Sequence, residues 1–330
     1  MRLTRYASLG HYHEHLDPVW SALPEAWRGE AWSALDAHPG TTPYRGTRGA
    51  HTSTGAVLVA SWPDAVSAAA RGRELVYIEH GAGQAYEGDP AMAGARGWSG
   101  ADDPTLDRVR LFVCPSETVA DRWRARYTAR AVAVGCPKLD AWHQGARGGP
   151  RGVRPVVAVT FHWDCPLGPE TRTAWPHYDR ALAGLAAWCR GNDVDLIGHG
   201  HPRMWSRIRR RWQHLGVEPV QRLADVLDRA DVLVADNTSA LFEFASLGRP
   251  VVVLNAPWYR RDIEHGLRFW SAVPGRQVDQ PADLVPAVEQ ALAGDDTAGL
   301  RAAATSAAYA ACDGRAAERA ATAIMEALSS

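Results

Sequence analysis

The 330-residue sequence has no hydrophobic run long enough to cross a membrane and no cysteine pair at metal-binding spacing. A membrane-spanning helix needs about 20 consecutive apolar residues, and no segment approaches that length. The five cysteines are scattered and odd in number, and none forms a C-x-x-C pair, so neither a disulfide framework nor a zinc site is indicated. The first twenty residues lack the apolar core of a signal peptide. These absences lead us to expect a reduced, cytoplasmic protein.

Lysine is nearly absent, since Lys138 is the only one among the 36 basic residues. Arginine richness beside abundant alanine, glycine and tryptophan is typical of a GC-rich coding sequence, so it does not by itself indicate nucleic-acid binding. The formal net charge of -1 favours neither a polyanionic partner nor an acidic surface. Hydrophobic residues at 46% are ordinary for a globular protein, so the function must be sought in local motifs.

Several common ligand-binding motifs are missing. The glycines near Gly81, and those in "GHGHPR" (198–203), lack the third glycine of a dinucleotide-binding loop. The sequence has no GxxxxGK[ST] loop and no GxSxG turn, which argues against P-loop enzymes and α/β-hydrolases. His199 and His201 lack a further ligand at clear spacing, so we predict no metal site and no cofactor, although Mg²⁺ stays possible.

Short apolar runs alternate with helical patterns along most of the chain. Strands this apolar, separated by helices, predict parallel sheets that are covered on both faces. The predicted strands are 55–61, 74–81, 109–116, 130–140, 156–161, 194–202, 231–236 and 250–255.

The stretch "HQGARGGPRGVRP" (143–155) interrupts this alternation with glycine, proline and arginine, and we interpret it as a linker. The sequence therefore predicts two Rossmann-like domains, residues 1–145 and 155–330. The alanine-rich tail (297–328) is expected to form C-terminal helices of the second domain.

Ligands of open α/β sheets bind outside the carboxyl ends of the strands, so polar residues at strand ends are the candidates. At "DNTS" (236–239), Asn237, Thr238 and Ser239 fall where a helix begins, and free N–H groups there favour a phosphate. Plain helix capping explains the same residues. Glu243 follows one turn later, either towards a ribose hydroxyl or on a solvated face.

Histidines mark the other two strand ends. His80 lies in "EHGAGQ" (79–84), where an imidazole can serve as a general base or simply pack into a glycine turn. His199 and His201 in "GHGHP" (198–202) can contact phosphate or sugar. The stretch "HYHEH" (11–15) is expected to line a cleft or the surface. The basic segment "RIRRRW" (207–212) is expected to be solvated, with a phosphate-rich or DNA acceptor as the alternative.

The motifs together resemble the CDP-glycerol glycerophosphotransferase family, of the teichoic-acid polymerase and primase type. "ADVLVADNTSALFEFASLGRPVVVLN" (230–255) resembles its C-terminal signature, with Glu243 in place of the usual aspartate. "GHGHP" resembles the family's strand ending in His-Pro, and "GCPKLD" (135–140) its Gly-x-Pro-Arg-x-Asp. "EHGAGQ" resembles its Trp-His-Gly, with Glu79 in place of tryptophan.

The resemblance implies the α/β GT-B fold, in which two Rossmann-like domains face each other across a cleft. Residues 1–145 would form the acceptor side and residues 155–330 would bind a nucleotide-activated donor. It implies His80 as the general base, His201, Asn237, Thr238 and Ser239 at the donor diphosphate, and Glu243 nearer the nucleoside. The residues expected to line the cleft are Glu79, Gly81, Gln84, Lys138, Asp140, His162, His199 and Asp236.

The sequence therefore predicts a transferase that moves a sugar or polyol phosphate to a hydroxyl of a glycan, a polyol phosphate or a modified nucleic acid. A UDP-N-acetylglucosamine 2-epimerase is the first alternative, although that family usually has Asp-Ser-Gly-Gly where this chain has Asp236-Asn237-Thr238-Ser239. A non-catalytic nucleotide- or glycan-binding module is the second.

Overall fold

The computed structural model describes residues 2–33, 42–43, 55–82, 104–147, 152–165, 168–261, 273–294 and 296–329. Their contacts divide into two compact units. The first unit holds the described residues up to Gln144 together with those from Ala307 onward, and the second holds those from Gly145 to Ser306. The sequence predicts the whole tail in the second domain, whereas the structure packs its last helix into the first unit.

The first unit is built on a parallel sheet in the order β3-β2-β1-β4-β5-β6-β7. Its strands are β1 (Leu3–Ala7), β2 (Arg28–Ser33), β3 (Thr42–Pro43), β4 (Val57–Val59), β5 (Leu75–Ile78), β6 (Val109–Cys114) and β7 (Arg130–Ala133). The helices described in it are α1 (Gly10–Ala22), α2 (Trp62–Ala69), α3 (Glu117–Arg126), α4 (Asp140–His143) and, from the end of the chain, α12 (Ala316–Ser329).

The second unit has a parallel sheet in the order β10-β9-β8-β11-β12-β13. Its strands are β8 (Val156–Thr160), β9 (Asp195–Gly198), β10 (Glu218–Pro219), β11 (Val232–Ala235), β12 (Val251–Leu254) and β13 (Arg276–Val278). Its described helices are α5 (Trp175–Tyr178), α6 (Ala181–Gly191), α7 (Trp205–His214), α8 (Leu223–Arg229), α9 (Ala240–Ala245), α10 (Leu284–Ala293) and α11 (Ala298–Ala308).

Each of the eight predicted strand segments contains a strand, and the predicted parallel α/β architecture is confirmed. Among the described residues, no helix combines the length and apolarity needed to cross a bilayer. Strand β1 was not predicted because "LTRYA" mixes polar and apolar residues, although all five are buried. The stretch "HYHEH" lies in helix α1, where His13 and His15 are buried and His11 is partly exposed.

The last helix, α12, packs on the first unit because its small apolar face completes that core. Ala320, Ala321 and Ile324 belong to the same buried cluster as Leu3 and Leu16. Alanines on a helix surface permit close approach, and α1 is among the elements that α12 contacts. Local sequence could not predict this packing, because the partners lie some 300 positions earlier in the chain.

The glycines of "GHGHP" are required by the packing of α7 on its sheet. A Cβ atom at Gly198 would lie 2.3 Å from Cδ2 of Trp212, and one at Gly200 would lie 2.7 Å from Cγ2 of Ile208. Both α7 side chains are fully buried, and the Trp212 indole donates to the His199 carbonyl at 3.2 Å. These glycines therefore fix the position from which the chain leaves β9 toward His201.

Candidate functional site

His80 stands directly after β5, at the carboxyl edge of the first sheet. The N–H of Glu79 donates to the Val113 carbonyl at 3.0 Å, which extends the pairing with β6 up to this position. Gly81 then adopts a φ of +81°, a left-handed conformation that glycine tolerates without strain. The backbone thus turns away immediately after His80 and leaves its partly exposed ring at the strand end. Gln84 lies outside the described residues.

Helix α1 brings aromatic and basic side chains against His80. The centroid of its ring lies 5.1 Å from that of Tyr12, edge to face, and 6.2 Å from that of His15. Burial lowers the pKa of His15 well below 6.5, and the nearby charges of Lys138 and His80 act in the same direction. His15 is therefore a neutral imidazole at neutral pH.

Lys138 comes from the turn after β7 and contacts the same helix. Its Nζ lies 3.4 Å from Oε2 of Glu14, and its side chain is mostly buried. We call His80, Tyr12, His15, Lys138 and Glu14 the histidine cluster. Among the residues that the structure describes, no group of three His, Cys, Asp or Glu side chains is arranged to hold a metal ion.

Glu79 does not line the surface beside His80, because neighbouring residues of a strand point to opposite faces. Its Oε1 accepts a hydrogen bond from the Trp123 indole at 3.0 Å, beneath α3, and its Oε2 accepts none from the described groups. Burial raises the pKa of Glu79 to about 7, against the opposing effects of the Trp123 hydrogen bond and the Arg122 charge. The predicted cleft-lining role is replaced by a buried one.

Asp140 also has a structural role. Its two carboxylate oxygens accept hydrogen bonds from the first N–H groups of α12, at 3.0 Å from Ala316 and 2.7 Å from Ala317. A carboxylate at a helix N-terminus also stabilises the helix dipole. Asp140 therefore fastens the last helix to the first unit.

In the second unit, Asp236 at the end of β11 organises the loop that follows β8. Its Oδ1 accepts from the His162 N–H at 2.7 Å, and its Oδ2 accepts from the Ala174 N–H at 2.9 Å and the Thr173 hydroxyl at 3.2 Å. The side chain is fully buried, and this burial raises its pKa to about 7 despite the three hydrogen bonds. Asp236 therefore holds the loop after β8 in place, and its own side chain is not exposed to a ligand.

Asn237 is similarly buried and donates its side-chain N–H to the Glu170 carbonyl. The Glu170 carboxylate in turn accepts from Arg260, at 2.8 Å from the guanidinium and 3.2 Å from the backbone N–H. Asn237 thus belongs to a buried polar network, and the prediction that it contacts the donor is not supported by this geometry.

Thr238 and Ser239 keep partly exposed side chains at the start of α9. The Ser239 hydroxyl lies 3.4 Å from Oε1 of Glu243, which it can meet only as a weak donor. Glu243 is 1% exposed, like the rest of a helix whose six residues are all buried. Glu243 is thus buried beside Ser239, and its contact with a nucleoside stays a prediction.

His199 and His201 point to different environments. His199 is buried, with its Nδ1 2.5 Å from the Thr160 hydroxyl. His201 caps the turn Pro202–Met204, and its Nδ1 accepts the Arg203 N–H at 3.2 Å, so the neutral ring carries its proton on Nε2. Only His201 of this pair is partly exposed.

His162 lies beside His201 at the end of β8. Their ring centroids are 5.4 Å apart, and the guanidinium of Arg203 lies 4.3 Å above the Trp163 ring. Nδ1 of His162 donates to the Thr171 carbonyl at 2.9 Å, and burial lowers the pKa of this histidine. Since β8 lies between β9 and β11, the exposed polar side chains at these three strand ends form one edge of the sheet.

Sequence reasoning missed two of these residues. Tyr12 packs against His80 from α1, a contact that periodicity does not reveal. Arg203, however, directly follows the His-Pro pair at the candidate donor corner, and that position could have signalled a phosphate contact.

The matching family model covers just under half of the chain. The family described as CDP-Glycerol:Poly(glycerophosphate) glycerophosphotransferase matches residues 176–326, which include His201 and the corner at 236–239. The predicted resemblance is confirmed for this range, and the range carries the signature of a transferase family. His80 and Lys138 lie before it. No curated protein matches the chain.

Solved structures match almost the full length. A protein named as a UDP-N-acetylglucosamine 2-epimerase from Listeria monocytogenes is 15% identical, with a TM-score of 0.65 over 98% of this chain and 96% of that one. MnaA of S. aureus, solved with UDP, is 13% identical, with a TM-score of 0.70 over 100% and 97%. A variant of the wall teichoic acid polymerase TagF soaked with CDPG is 11% identical, with a TM-score of 0.66 over 99% and 89%. This likeness confirms the predicted GT-B fold.

Proposed function

We propose that the protein transfers a sugar or polyol-phosphate group from a nucleotide-activated donor to an acceptor hydroxyl. The observation that carries the proposal is the transferase family match over residues 176–326, because that range holds His201, Arg203, Thr238 and Ser239 of the exposed polar edge. The TagF structure soaked with CDPG and the MnaA structure with UDP support a nucleotide-activated donor. The donor is a substrate, and the proposal invokes no cofactor.

The second unit supplies the donor site. Thr238 and Ser239 offer hydroxyl donors, His201 offers its Nε2–H, and Arg203 offers a guanidinium held over Trp163. Together these groups suit a diphosphate, whose negative charge grows as the bond to the transferred group breaks. Preorganised donors aimed at developing charge are among the strongest sources of catalysis. Asp236 and Asn237 hold the loops that present these groups.

His80 acts as the general base on the acceptor. Its ring takes the proton of the attacking hydroxyl while the acceptor oxygen bonds to the transferred group. The bond between that group and the nucleotide breaks, and the nucleotide leaves with the electron pair. The neutral His15 beside it limits the positive charge that surrounds His80. The acceptor is a hydroxyl of a glycan, a polyol phosphate or a modified nucleic acid.

The test separates binding from chemistry. Thermal-shift and calorimetric titrations with CDP, UDP, GDP, ADP and dTDP identify the base, since a ligand at 100 times its Kd stabilises the fold by about 2.7 kcal/mol. We expect one nucleotide to bind the wild type and to bind Ser239→Ala more weakly. His80→Ala should keep donor binding and lose transfer by about 100-fold or more.

His177→Ala is the matched control, because it removes a partly exposed histidine that is assigned to neither candidate site and lies 3.3 Å from the Asp279 carbonyl. Unchanged transfer by His80→Ala would eliminate His80 as the base. No binding of any diphosphate would reduce the 236–239 corner to a helix start.

An epimerase is the second candidate, because the fold comparison does not separate the two activities. UDP-N-acetylglucosamine 2-epimerases and TagF match with TM-scores of 0.65 and 0.66 in the examples above. At this corner Thr238 and Ser239 stand where the epimerase alternative predicts a glycine pair. Incubation with UDP-N-acetylglucosamine alone should leave the sugar unchanged, and appearance of the C2 epimer without an acceptor would favour the epimerase.

A further inference from the structure

His162 is a partly exposed histidine at the polar edge of the second sheet, and the proposed transfer reaction gives it no role. It follows β8, and its backbone N–H donates to Oδ1 of Asp236 at 2.7 Å. Its ring Nδ1 lies 2.9 Å from the Thr171 carbonyl. A carbonyl oxygen only accepts hydrogen bonds, so Nδ1 carries the proton of the neutral ring and Nε2 carries a lone pair. These two contacts fix His162 as a hydrogen-bond acceptor at this edge.

Nε2 of His162 is available to a ligand. Burial lowers the pKa of the ring and the Arg203 charge acts in the same direction, against the Thr171 and Trp163 carbonyls, so the ring is neutral at neutral pH. Within the part of the chain that the structure describes, no group donates a hydrogen bond to Nε2. Nor is this nitrogen one of the buried polar atoms without a partner, which leaves it at the surface.

The neighbouring His201 has the opposite hydrogen-bonding character. Its Nδ1 accepts the Arg203 N–H at 3.2 Å, so its Nε2 carries the proton and donates. The centroids of the two rings are 5.4 Å apart, which places an acceptor beside a hydrogen-bond donor. An ionised diphosphate ester has only acceptor oxygens, so it suits His201 and repels the lone pair of His162. The group that meets His162 must therefore bring an O–H or N–H of its own.

We infer that Nε2 of His162 accepts a hydrogen bond from the hydroxyl on the second carbon of the transferred group, and that this contact selects activated donors carrying that hydroxyl. The inference deepens the proposed function and rests on it, because the ligand is the activated donor of that reaction. His162 would be a specificity-determining residue. A site built to bond a substrate hydroxyl discriminates strongly against the analogue that lacks it.

The place of His162 in the sheet favours the transferred group over the nucleoside. Strand β8 lies between β9 and β11, so His162 stands between His201 and the hydroxyls of Thr238 and Ser239, all proposed for the diphosphate. A ligand hydroxyl that reaches His162 must lie close to the phosphates. In a sugar or polyol ester, two carbons separate the ester oxygen from the next hydroxyl, whereas three separate the 5′ oxygen of ribose from its 3′ hydroxyl. The base is farther away still.

Calorimetry with three ligands tests the inference. All carry the base that binds in the nucleotide titrations: the nucleoside diphosphate, its ester with glycerol or glucose, and the matching ester with propane-1,3-diol or 2-deoxyglucose, which lacks the hydroxyl on the second carbon. The wild type should bind the hydroxylated ester about 3- to 10-fold more tightly than the deoxy ester, as expected for one hydrogen bond. His162→Asn should bind the two esters equally and keep the wild-type affinity for the nucleoside diphosphate.

Two substitutions separate the ring nitrogens. Asparagine at position 162 places an amide N–H where Nδ1 stood, so it can still donate to the Thr171 carbonyl, but it has no atom at the position of Nε2. His162→Gln brings an amide oxygen close to that position and should recover part of the preference. The matched control is His177→Asn, at another partly exposed histidine of the same unit, which should keep the full preference.

Thermal unfolding verifies that each variant is folded, and the comparison of the two esters on the wild type needs no variant. The protein and ligand changes form a double-mutant cycle, in which a direct bond makes the two losses non-additive. Equal binding of both esters by the wild type would overturn the inference. An equal loss of affinity by His162→Asn for the nucleoside diphosphate and both esters would overturn it in favour of a contact with the nucleotide.

Failure of this inference is distinguishable from failure of the proposed function, because binding needs no turnover. A wild type that shows the preference for the hydroxylated ester through His162 but transfers nothing to any acceptor would refute only the transferase. A wild type that transfers the group from both esters, with equal affinity for each, would refute only the role of His162.

Discussion

Replacing Glu79 by glutamine should stabilise the first unit at alkaline pH and leave it unchanged at acidic pH. Glu79 is buried beneath α3, with one oxygen bonded to the Trp123 indole and the other without a described donor. Glutamine has the shape of the protonated acid and can accept from the same indole. The substitution therefore removes a buried charge and keeps the packing.

The direction and the size of this stability change follow from the pKa values of Glu79 in the folded and the unfolded protein. Burial raises its pKa from 4.5 to about 7 in the folded protein, so the folded state holds the proton more tightly than the unfolded state. The resulting stability is fully present below 4.5 and is lost as the pH rises through about 7. A shift of this size corresponds to at most about 3 kcal/mol, at 1.36 kcal/mol for each pH unit.

Urea unfolding at about pH 5 and about pH 8 measures the difference, and hydrogen exchange of the peptide 75–82 reports the first unit alone. Asp236 also has a pKa raised to about 7, but its contribution is the same in both proteins and cancels. The control is Glu25→Gln, at an exposed carboxylate. If E79Q and the wild type lose stability equally between the two pH values, Glu79 is not the buried titrating group described above.

Two further predictions concern packing. Asp140→Ala should lower the stability of the protein by about 1 to 2 kcal/mol, because it leaves the first N–H groups of α12 without acceptors. We expect faster hydrogen exchange at 316–320, and unchanged exchange there would contradict the capping role of Asp140. Gly198→Ala should destabilise by about 1 to 3 kcal/mol because its Cβ would overlap the Trp212 ring, whereas Gly184→Ala, exposed in α6 with open space around it, should stabilise by about 0.5 to 1 kcal/mol. Thermal melts decide the second case, and equal melting temperatures for the two variants would refute it.

The sheets could be predicted from sequence because a strand buried on both faces must be apolar along its whole length. The segment 231–236 carries that pattern and became β11, with Val232, Leu233 and Val234 in the core. The same reasoning fails where a buried strand contains a charged residue that pairs with another side chain. Arg5 is buried within β1 and pairs with Asp17 of α1, so the strand contains a charge that no hydrophobic pattern would predict.

The strand ends were located correctly, but the burial of Glu79, Asp236 and Asn237 was not predicted. Adjacent residues at a strand end point to opposite faces, so Glu79 enters the core under α3 while His80 meets Tyr12 and His15 on the other side. A motif identifies a corner and gives the residue types in it. It does not show which of two adjacent residues points toward a ligand and which points into the core.

The buried residues of the segment 236–239 show why the motif alone does not reveal which side chains face a ligand. The carboxylate of Asp236 accepts hydrogen bonds from N–H and hydroxyl donors of the loop 162–174, more than sixty positions earlier in the chain. Thr238 and Ser239, two and three residues later, carry the hydroxyls that stay partly exposed. A ligand site at a strand end therefore has two layers, a buried polar layer that orders the loops and an exposed layer that they present. Substitutions in the buried layer should lower stability and donor affinity together, whereas Ser239→Ala should lower affinity alone.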